Sequence, residues 1–361
     1  MQVLVTGSTG HVGSHLALEL ARKGIDVLCL ARSKASESAT QRVQRAVCLA
    51  GDLPLLPHEI ASRLSVFEHD LERDSPEVLR GLVRSRGVES IWHAAAATNL
   101  CRDVAWTPDH ENLRTTKNLL GAADSAARFY FVSTAYQCGR LEGPAREERL
   151  SMRPASFRNA YEHSKWACEQ LLWDALSSRL TVFRPSIVLG RTDAQRVDCW
   201  QGYYSFVRKA HRLLLATGKS VCDGAEIGIL GREEQELDLV FADGLVSAMV
   251  SIGLAPRSRE RTFHLTAPER ITLGSIADDL AAVTGLRLVL RSGERAAALR
   301  PSPILAALQP YLLEGPRFDR RETESMQELL GFDEPHLTTT LSRRHISLAV
   351  STPAGAVRLA S

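Results

Sequence analysis

Val3-Leu4-Val5-Thr6-Gly7-Ser8-Thr9-Gly10-His11-Val12-Gly13 stands almost at the start of the chain: a short apolar run, a glycine turn, then apolar positions recurring at three and four through Arg22. The pattern predicts a buried strand that turns directly into an amphipathic helix, with Gly24 where that helix should stop. In that setting the glycines have physical work to do. They permit a tight turn, the approach of a diphosphate to backbone N–H groups and the close packing of helix on strand, while the helix N-terminus adds partial positive charge. The spacing is G-x-x-G-x-x-G rather than the commoner G-x-G-x-x-G, so three glycines alone would be a weak signal; their place between strand and helix strengthens it. Gly7, Ser8, Thr9, Gly10, His11, Val12 and Gly13 are therefore candidate dinucleotide-binding residues.

The same alternation continues outward. Ile25–Leu30, Val66–Phe67, Ile91–Trp92, Phe129–Val132 and Leu180–Phe183 are brief apolar runs of the kind that form buried strands, separated by helical patterns such as Leu113–Ala123. Strands alternating with helices predict an α/β fold, a doubly wound parallel sheet of the Rossmann type. After about Gly190 the alternation loosens into short helical stretches around Tyr204–Leu215, Ala242–Ile252 and Ile276–Thr284. The expected organisation is a cofactor domain over residues 1–190, with a returning segment near 235–252, and a smaller substrate-binding region over 191–361.

Composition narrows the class. The chain has 361 residues, 44% hydrophobic and 24% charged, and a formal net charge of +2. These values exclude a disordered or collagenous chain, and the near-neutral balance argues against nucleic acid as a partner. Seven scattered cysteines, Cys29, Cys48, Cys101, Cys138, Cys168, Cys199 and Cys222, form no C-x-x-C pair and read as free thiols. The absence of a signal-like N-terminus and of a long apolar stretch leads to the expectation of a cytoplasmic protein with no membrane span. His11 and His15 have a metal-compatible spacing, but no third ligand is evident, so no metal site is expected; H-E-x-x-H and G-x-S-x-G are also missing.

Two features point to the chemistry. The second strand ends in Leu30-Ala31-Arg32-Ser33-Lys34, with no carboxylate before Glu37. A basic residue there suits the 2′-phosphate of NADP, so NADPH is the expected cofactor, with Arg32 as phosphate ligand and Ser33 and Lys34 as helpers. The second feature is Tyr161-Glu162-His163-Ser164-Lys165, which opens a helical pattern and places phenol and ammonium on one face. An ammonium beside a phenol favours phenolate and makes the tyrosine a usable proton donor for a carbonyl oxygen that is receiving hydride. Six Tyr and six Lys in 361 residues predict only roughly 0.1 such pairs by chance. Only six of the 44 basic residues are lysines, which makes a lysine at 165 stand out.

T-G-x-x-G-x-x-G followed by Tyr-x-x-x-Lys resembles the extended branch of the short-chain dehydrogenase/reductase superfamily. Phe131-Val132-Ser133-Thr134-Ala135-Tyr136, Tyr161–Leu172 and Phe183–Gly190 are similar to the fatty acyl-CoA reductase and carrier-protein thioester reductase group, and Arg261–Thr266, Pro310–Leu312 and Phe318-Asp319 continue the likeness. The resemblance implies an NADP-dependent oxidoreductase with Tyr161 as catalytic acid and Lys165 lowering its pKa and holding the nicotinamide ribose. It implies Thr134, counted back from Gly139, as the hydroxyl that polarises the carbonyl, with Ser133 as runner-up, and Asn112 as a positioning and proton-relay residue. Asp70 and Leu71 match the pair that contacts adenine, Ala94, Ala95 and Ala96 the small residues beside the cofactor, and Pro185 and Ile187 belong with the cofactor-binding set. The implied substrate is a small-molecule or carrier-bound acyl thioester, an acyl carrier protein being among the implied partners, and the product an aldehyde or alcohol. Reduction of a ketone or aldehyde, as in the hydroxysteroid and dihydroflavonol branches, is the alternative; sugar-nucleotide epimerisation and NADP sensing without turnover rank below it. Arg317, Arg320 and Arg321, or Arg257, Arg259 and Arg261, could receive a pantetheine phosphate, although solvated surface arginines are commoner.

Overall fold

The computed structural model describes residues 1–352 except 35, 99, 101–106, 108, 124–127, 142, 217–225, 286, 294–304 and 306. Each apolar run of the first half becomes a parallel strand: β1 (Gln2–Thr6), β2 (Asp26–Ala31), β3 (Leu64–Glu68), β4 (Ser90–His93), β5 (Arg128–Val132) and β6 (Leu180–Pro185). A seventh, β7 (Arg261–Leu265), pairs in parallel with β6, giving the order β7-β6-β5-β4-β1-β2-β3. The strand order reverses beside β1, which puts a crevice at the carboxyl ends of β1 and β4, where doubly wound sheets bind ligands.

Both faces of the sheet are covered, so both sets of alternating side chains are apolar. Val3, Val5, Val27, Trp92, Tyr130 and Phe183 share one core with α1 (His11–Arg22), α2 (Ala39–Ala50) and α7 (Ala242–Leu254). Leu4, Leu28, Ile91, Phe129, Phe131 and Val182 share the other with α3 (Pro76–Ser85), α4 (Glu111–Ala122) and α5 (Ala160–Leu176). Gly24, at φ +78°, ends α1 where expected.

The second half builds a smaller core from Tyr203, Tyr204 and Val207 of α6 (Gly202–Ala216), Leu273 and Leu280 of α8 (Leu273–Thr284) and Ile346 of α10 (Thr339–Ser351), with the parallel pair Glu226–Leu230 and Arg287–Arg291. It is interleaved with the sheet. Strand β7 lies beyond both 1–190 and the return near 235–252, and Ile187–Leu189 pairs with Leu239–Phe241. Helix α9 (Arg321–Leu330) begins on a carboxylate from the first half: Glu147 accepts from the backbone N–H groups of Glu322 at 2.6 Å and Thr323 at 3.2 Å, and from that of His264 in β7 at 2.8 Å.

Cys29, Cys48, Cys138, Cys168 and Cys199 are free thiols; Cys101 and Cys222 lie outside the described residues. Among the described residues no helix is long and apolar enough to cross a membrane.

Candidate active site

The turn after β1 is built around glycines that nothing else could replace. Gly7 has φ +75°, and a Cβ there would lie 2.6 Å from Ala95 N; a Cβ on Gly13 would lie 2.1 Å from Gly7 O. Gly10 is the N-cap of α1 and offers no side-chain cap, so the first turn of the helix keeps its N–H groups for a ligand. Ser8 faces inward, its hydroxyl donating to Leu30 O at 3.3 Å, so only its backbone is available to a cofactor. A diphosphate fits this cradle on chemical grounds. Thr9, His11 and Val12 complete it, partly exposed.

A buried polar chain locks the neighbouring loop. Thr116 Oγ1 lies 2.7 Å from Asn112 O, to which it can only donate, so it accepts from His93 Nε2 at 3.0 Å. His93 Nδ1 then accepts from Thr6 Oγ1 at 2.8 Å, which in turn takes the N–H of Ala95 at 3.2 Å. Burial, with the nearby Lys165 charge, drives the His93 pKa down to about 3, so it stays neutral in this role. Ala94, Ala95 and Ala96 are thereby held, half-buried, against the glycine turn.

Asn112 is 3% exposed. Its Oδ1 accepts from Ala97 N at 2.7 Å, and its Nδ2 donates to Ala97 O at 3.1 Å and to Ser164 Oγ at 2.9 Å. The side chain therefore pins the loop after β4 to the helix carrying Tyr161 and Lys165.

The hydroxyl pair at the end of β5 divides by environment. Thr134 Oγ1 accepts from Tyr136 N at 3.3 Å, capping the 3-10 turn Ala135–Cys138 and leaving its own proton to donate outward. Ser133 Oγ is enclosed without a partner among the described residues. Gly139 closes the turn at φ +57°, where a Cβ would meet Ser156 O at 2.3 Å, so the glycine used for counting back is a geometric necessity.

Asn159 caps α5 by accepting from Glu162 N, and Tyr161 and Lys165 follow one turn apart. Lys165 is 2% exposed; its ammonium donates to Val132 O at 2.7 Å and sits 4.7 Å over the Phe131 ring. Burial lowers its pKa to about 8, opposed by Cys168 and Glu169. The phenol of Tyr161 moves the other way from the expectation: burial, then the adjacent Glu162 carboxylate, push it above its ordinary range. Glu162 stands next in the chain, and the Lys165 ammonium is held on the β5 backbone. We expect the descending limb of the pH profile of kcat/KM to fall near pH 8, where the free enzyme's Lys165 loses its proton; a profile flat to pH 10 would contradict this.

Sequence reasoning missed the partners of Glu162. The carboxylate is fully buried, accepting from Arg158 N at 2.9 Å and from the hydroxyl of Tyr311 at 2.7 Å, which itself accepts from Asn159 Nδ2 at 2.8 Å. The C-terminal region is thus tied to the cap of the candidate catalytic helix. Only the likeness of Pro310–Leu312 to known reductases marked that tyrosine.

At the far end of the crevice, a cleft of about 470 Å³ is lined by Arg32, Ser33, Lys34 and Arg73 and by Glu68, Asp70 and Asp74. The second strand ends without an acid, but the third and the loop after it bring three carboxylates to the same place. Arg32 is half-exposed and 3.4 Å from Asp70 Oδ2, a weak pair that an incoming phosphate can displace. Leu71 is buried beside it. Pro185 ends β6, and Ile187 opens the next short strand, its N–H donating to Asp238 O at 3.2 Å.

Of the six arginines that could receive a phosphate, three are held by carboxylates. Arg320 is buried against Glu334, Arg321 pairs with Asp319 at 2.6 Å, and Arg261 pairs with Glu322. The third ligand missing beside His11 and His15 is present in space: Asp198 Oδ2 lies 3.4 Å from His11 Nδ1 and 2.7 Å from His15 Nε2.

The chain matches the family model described as male sterility protein over residues 5–249. It is 33% identical over 219 residues to an isonitrile lipopeptide synthase of Mycobacterium tuberculosis, a match covering 53% of this chain and 8% of that protein. It is 29% identical over 300 residues to a carboxylic acid reductase of the same organism, covering 74% of this chain and 24% of the relative. The chain thus spans less than a quarter of either relative's length. Among solved structures, the terminal R domain from the myxalamid PKS-NRPS biosynthetic pathway superposes with a TM-score of 0.76 at 23% identity, over 97% of this chain and 90% of that one, a likeness of fold.

Proposed function

The chain belongs to the male sterility protein family, and from that premise we propose that it is an NADPH-dependent reductase of a carbonyl, foremost that of an acyl thioester on coenzyme A or a carrier protein. The observation that carries this reading is a glycine turn whose helix N-terminus is left uncapped, together with the Lys165 ammonium, one helical turn from Tyr161, on Val132 O at the end of the strand that leads to Thr134. Bound NADPH supplies the hydride. Thr134 donates a hydrogen bond to the carbonyl oxygen, and Tyr161 delivers the proton that this oxygen needs as the carbon is reduced. On this reading Lys165 would turn its charge to the phenol and the ribose once the cofactor is bound, and Asn112 pins the loop after β4 to α5. Loss of thiol from the reduced thioester leaves an aldehyde, which a second round would convert to an alcohol.

The likeness to a carboxylic acid reductase and an isonitrile lipopeptide synthase supports a substrate at the carboxyl oxidation level over a ketone. The test is NADPH consumption with aldehyde trapping across acyl-CoA and acyl-carrier thioesters, run beside ketones and aldehydes. Turnover of ketones with no thiol released from any thioester would hand the function to the second reading. Arg32 supports NADPH over NADH. We expect Arg32→Ala to raise the KM for NADPH about 10–100-fold and leave that for NADH nearly unchanged, the loss of a charge-assisted hydrogen bond. The carboxylates Glu68, Asp70 and Asp74 in the same cleft favour the opposite outcome, and a wild-type preference for NADH would assign the cleft to a ribose hydroxyl.

A further inference from the structure

We propose that His11, His15 and Asp198 form a binding site for a divalent transition-metal ion, an N2O ligand set that clasps the segment 189–198 to the first turns of α1. The two imidazoles come from one face of the helix, four residues apart, with ring centroids 5.1 Å apart, and the carboxylate comes from a loop 183 residues further on. All three side chains are enclosed, at 11%, 2% and 7% exposure. Their candidate ligand atoms lie within 4.8 Å of one another.

The hydrogen bonds around the cluster assign its protons. His11 Nε2 lies 3.0 Å from Leu189 O, a carbonyl that can only accept, so in the neutral ring Nε2 carries the hydrogen and Nδ1 carries the lone pair. That lone pair points at a carboxylate oxygen 3.4 Å away, and among the described residues His11 Nδ1 has no hydrogen-bond partner. Asp198 Oδ1 is likewise buried and unpartnered. Two electron-rich atoms facing each other in an enclosed space call for a positive charge between them, either a metal ion or a second proton on His11, and the geometry has room for the ion. A ligating histidine that gives its other N–H to a backbone carbonyl is the usual outer arrangement of a metal site. In a tetrahedral site with ligands at about 2.0–2.1 Å, ligand atoms stand roughly 3.3 Å apart. The 3.4 Å separation of His11 and Asp198 already matches, and the 2.7 Å hydrogen bond of His15 to Asp198 opens by roughly 0.6 Å to admit the ion. Two imidazoles and one carboxylate select zinc, cobalt or nickel over magnesium or calcium. The proposal is independent of the carbonyl substrate, so failure of the thioester reading leaves it standing.

The test uses the full chain, stripped with a chelator, dialysed and titrated with Co²⁺. The expected result is one equivalent taken up with visible d–d absorption of a low-coordinate site, displaced by Zn²⁺, and a rise in Tm on loading. Asp198→Asn and His15→Gln should each weaken uptake by more than the roughly 10–100-fold that loss of an outer hydrogen bond costs. Circular dichroism checks the folding of both variants; if neither folds, the stoichiometry and spectrum of the unaltered chain decide. No absorbing equivalent in the unaltered chain overturns the site, leaving a hydrogen-bonded His–Asp cluster. Uptake that persists unchanged in both variants also overturns it, by moving the ion to other ligands such as the thiols.

Discussion

Tyr161→Phe lowers kcat about 10²–10⁴-fold, the usual contribution of a positioned general acid, and leaves NADPH affinity within a small factor of the unaltered protein. The expectation follows from where the phenol stands. Burial and the neighbouring Glu162 hold its proton at neutral pH, so in the free protein it is an acid waiting for a base. Phenylalanine retains the ring and removes only the O–H. Steady-state turnover on the best thioester, with cofactor affinity read from NADPH fluorescence, separates the two effects. Unchanged turnover would remove Tyr161 from the mechanism; lost NADPH affinity with equal turnover at saturation would make it a binding residue.

Replacing Glu169 by Leu costs about 3–5 kcal/mol of stability, because it leaves a buried guanidinium without its carboxylate. Glu169 and Arg184 are 0% and 1% exposed and form a two-pronged pair, Nε to Oε1 at 3.0 Å and Nη2 to Oε2 at 2.6 Å. The pair joins α5 to β6, and Arg184 also donates to Arg146 O at 3.1 Å and Glu148 O at 3.0 Å, fixing the loop whose Glu147 starts α9. The shift in urea midpoint measures the loss. Glu169→Leu combined with Arg184→Met should recover part of it by removing the stranded charge, but not the share held in the two carbonyl contacts. A single variant as stable as the unaltered protein would show that the pair contributes nothing net.

The two pairs illustrate what the sequence could and could not disclose. That Tyr161 and Lys165 stand one turn apart on a helix was readable from the helical spacing that follows them, and the strands β1 to β6 from the short apolar run at the centre of each. The turn capped by Thr134 was readable through Gly139, whose positive φ is a backbone requirement. Strand β7 was not: in Arg261–Leu265 Thr262 and His264 alternate with Phe263 and Leu265 and leave no apolar run, and its membership of the sheet is decided by pairing with β6, some 80 residues earlier. Asp198 was invisible for the same reason, since a partner 183 residues away leaves no spacing to read, and Tyr311, 149 residues from Glu162, was marked only by a family likeness. Arg32 directly follows β2, but the acids that share its cleft arrive from the end of β3 and the loop after it and alter the electrostatic question it was meant to answer.

The return of the chain to the sheet at Arg261–Leu265 divides the smaller core between a segment before β7, which carries α6, and one after it, which carries α8 and α10. A crossover between related chains anywhere from 191 to 260 therefore splits both the sheet and the smaller core between parents. A hybrid joined after residue 190 would pair one parent's β6 with the other's β7 and seat a foreign α9 on Glu147. Recombination that keeps the smaller core in one lineage has to move α6, α8 and α10 together.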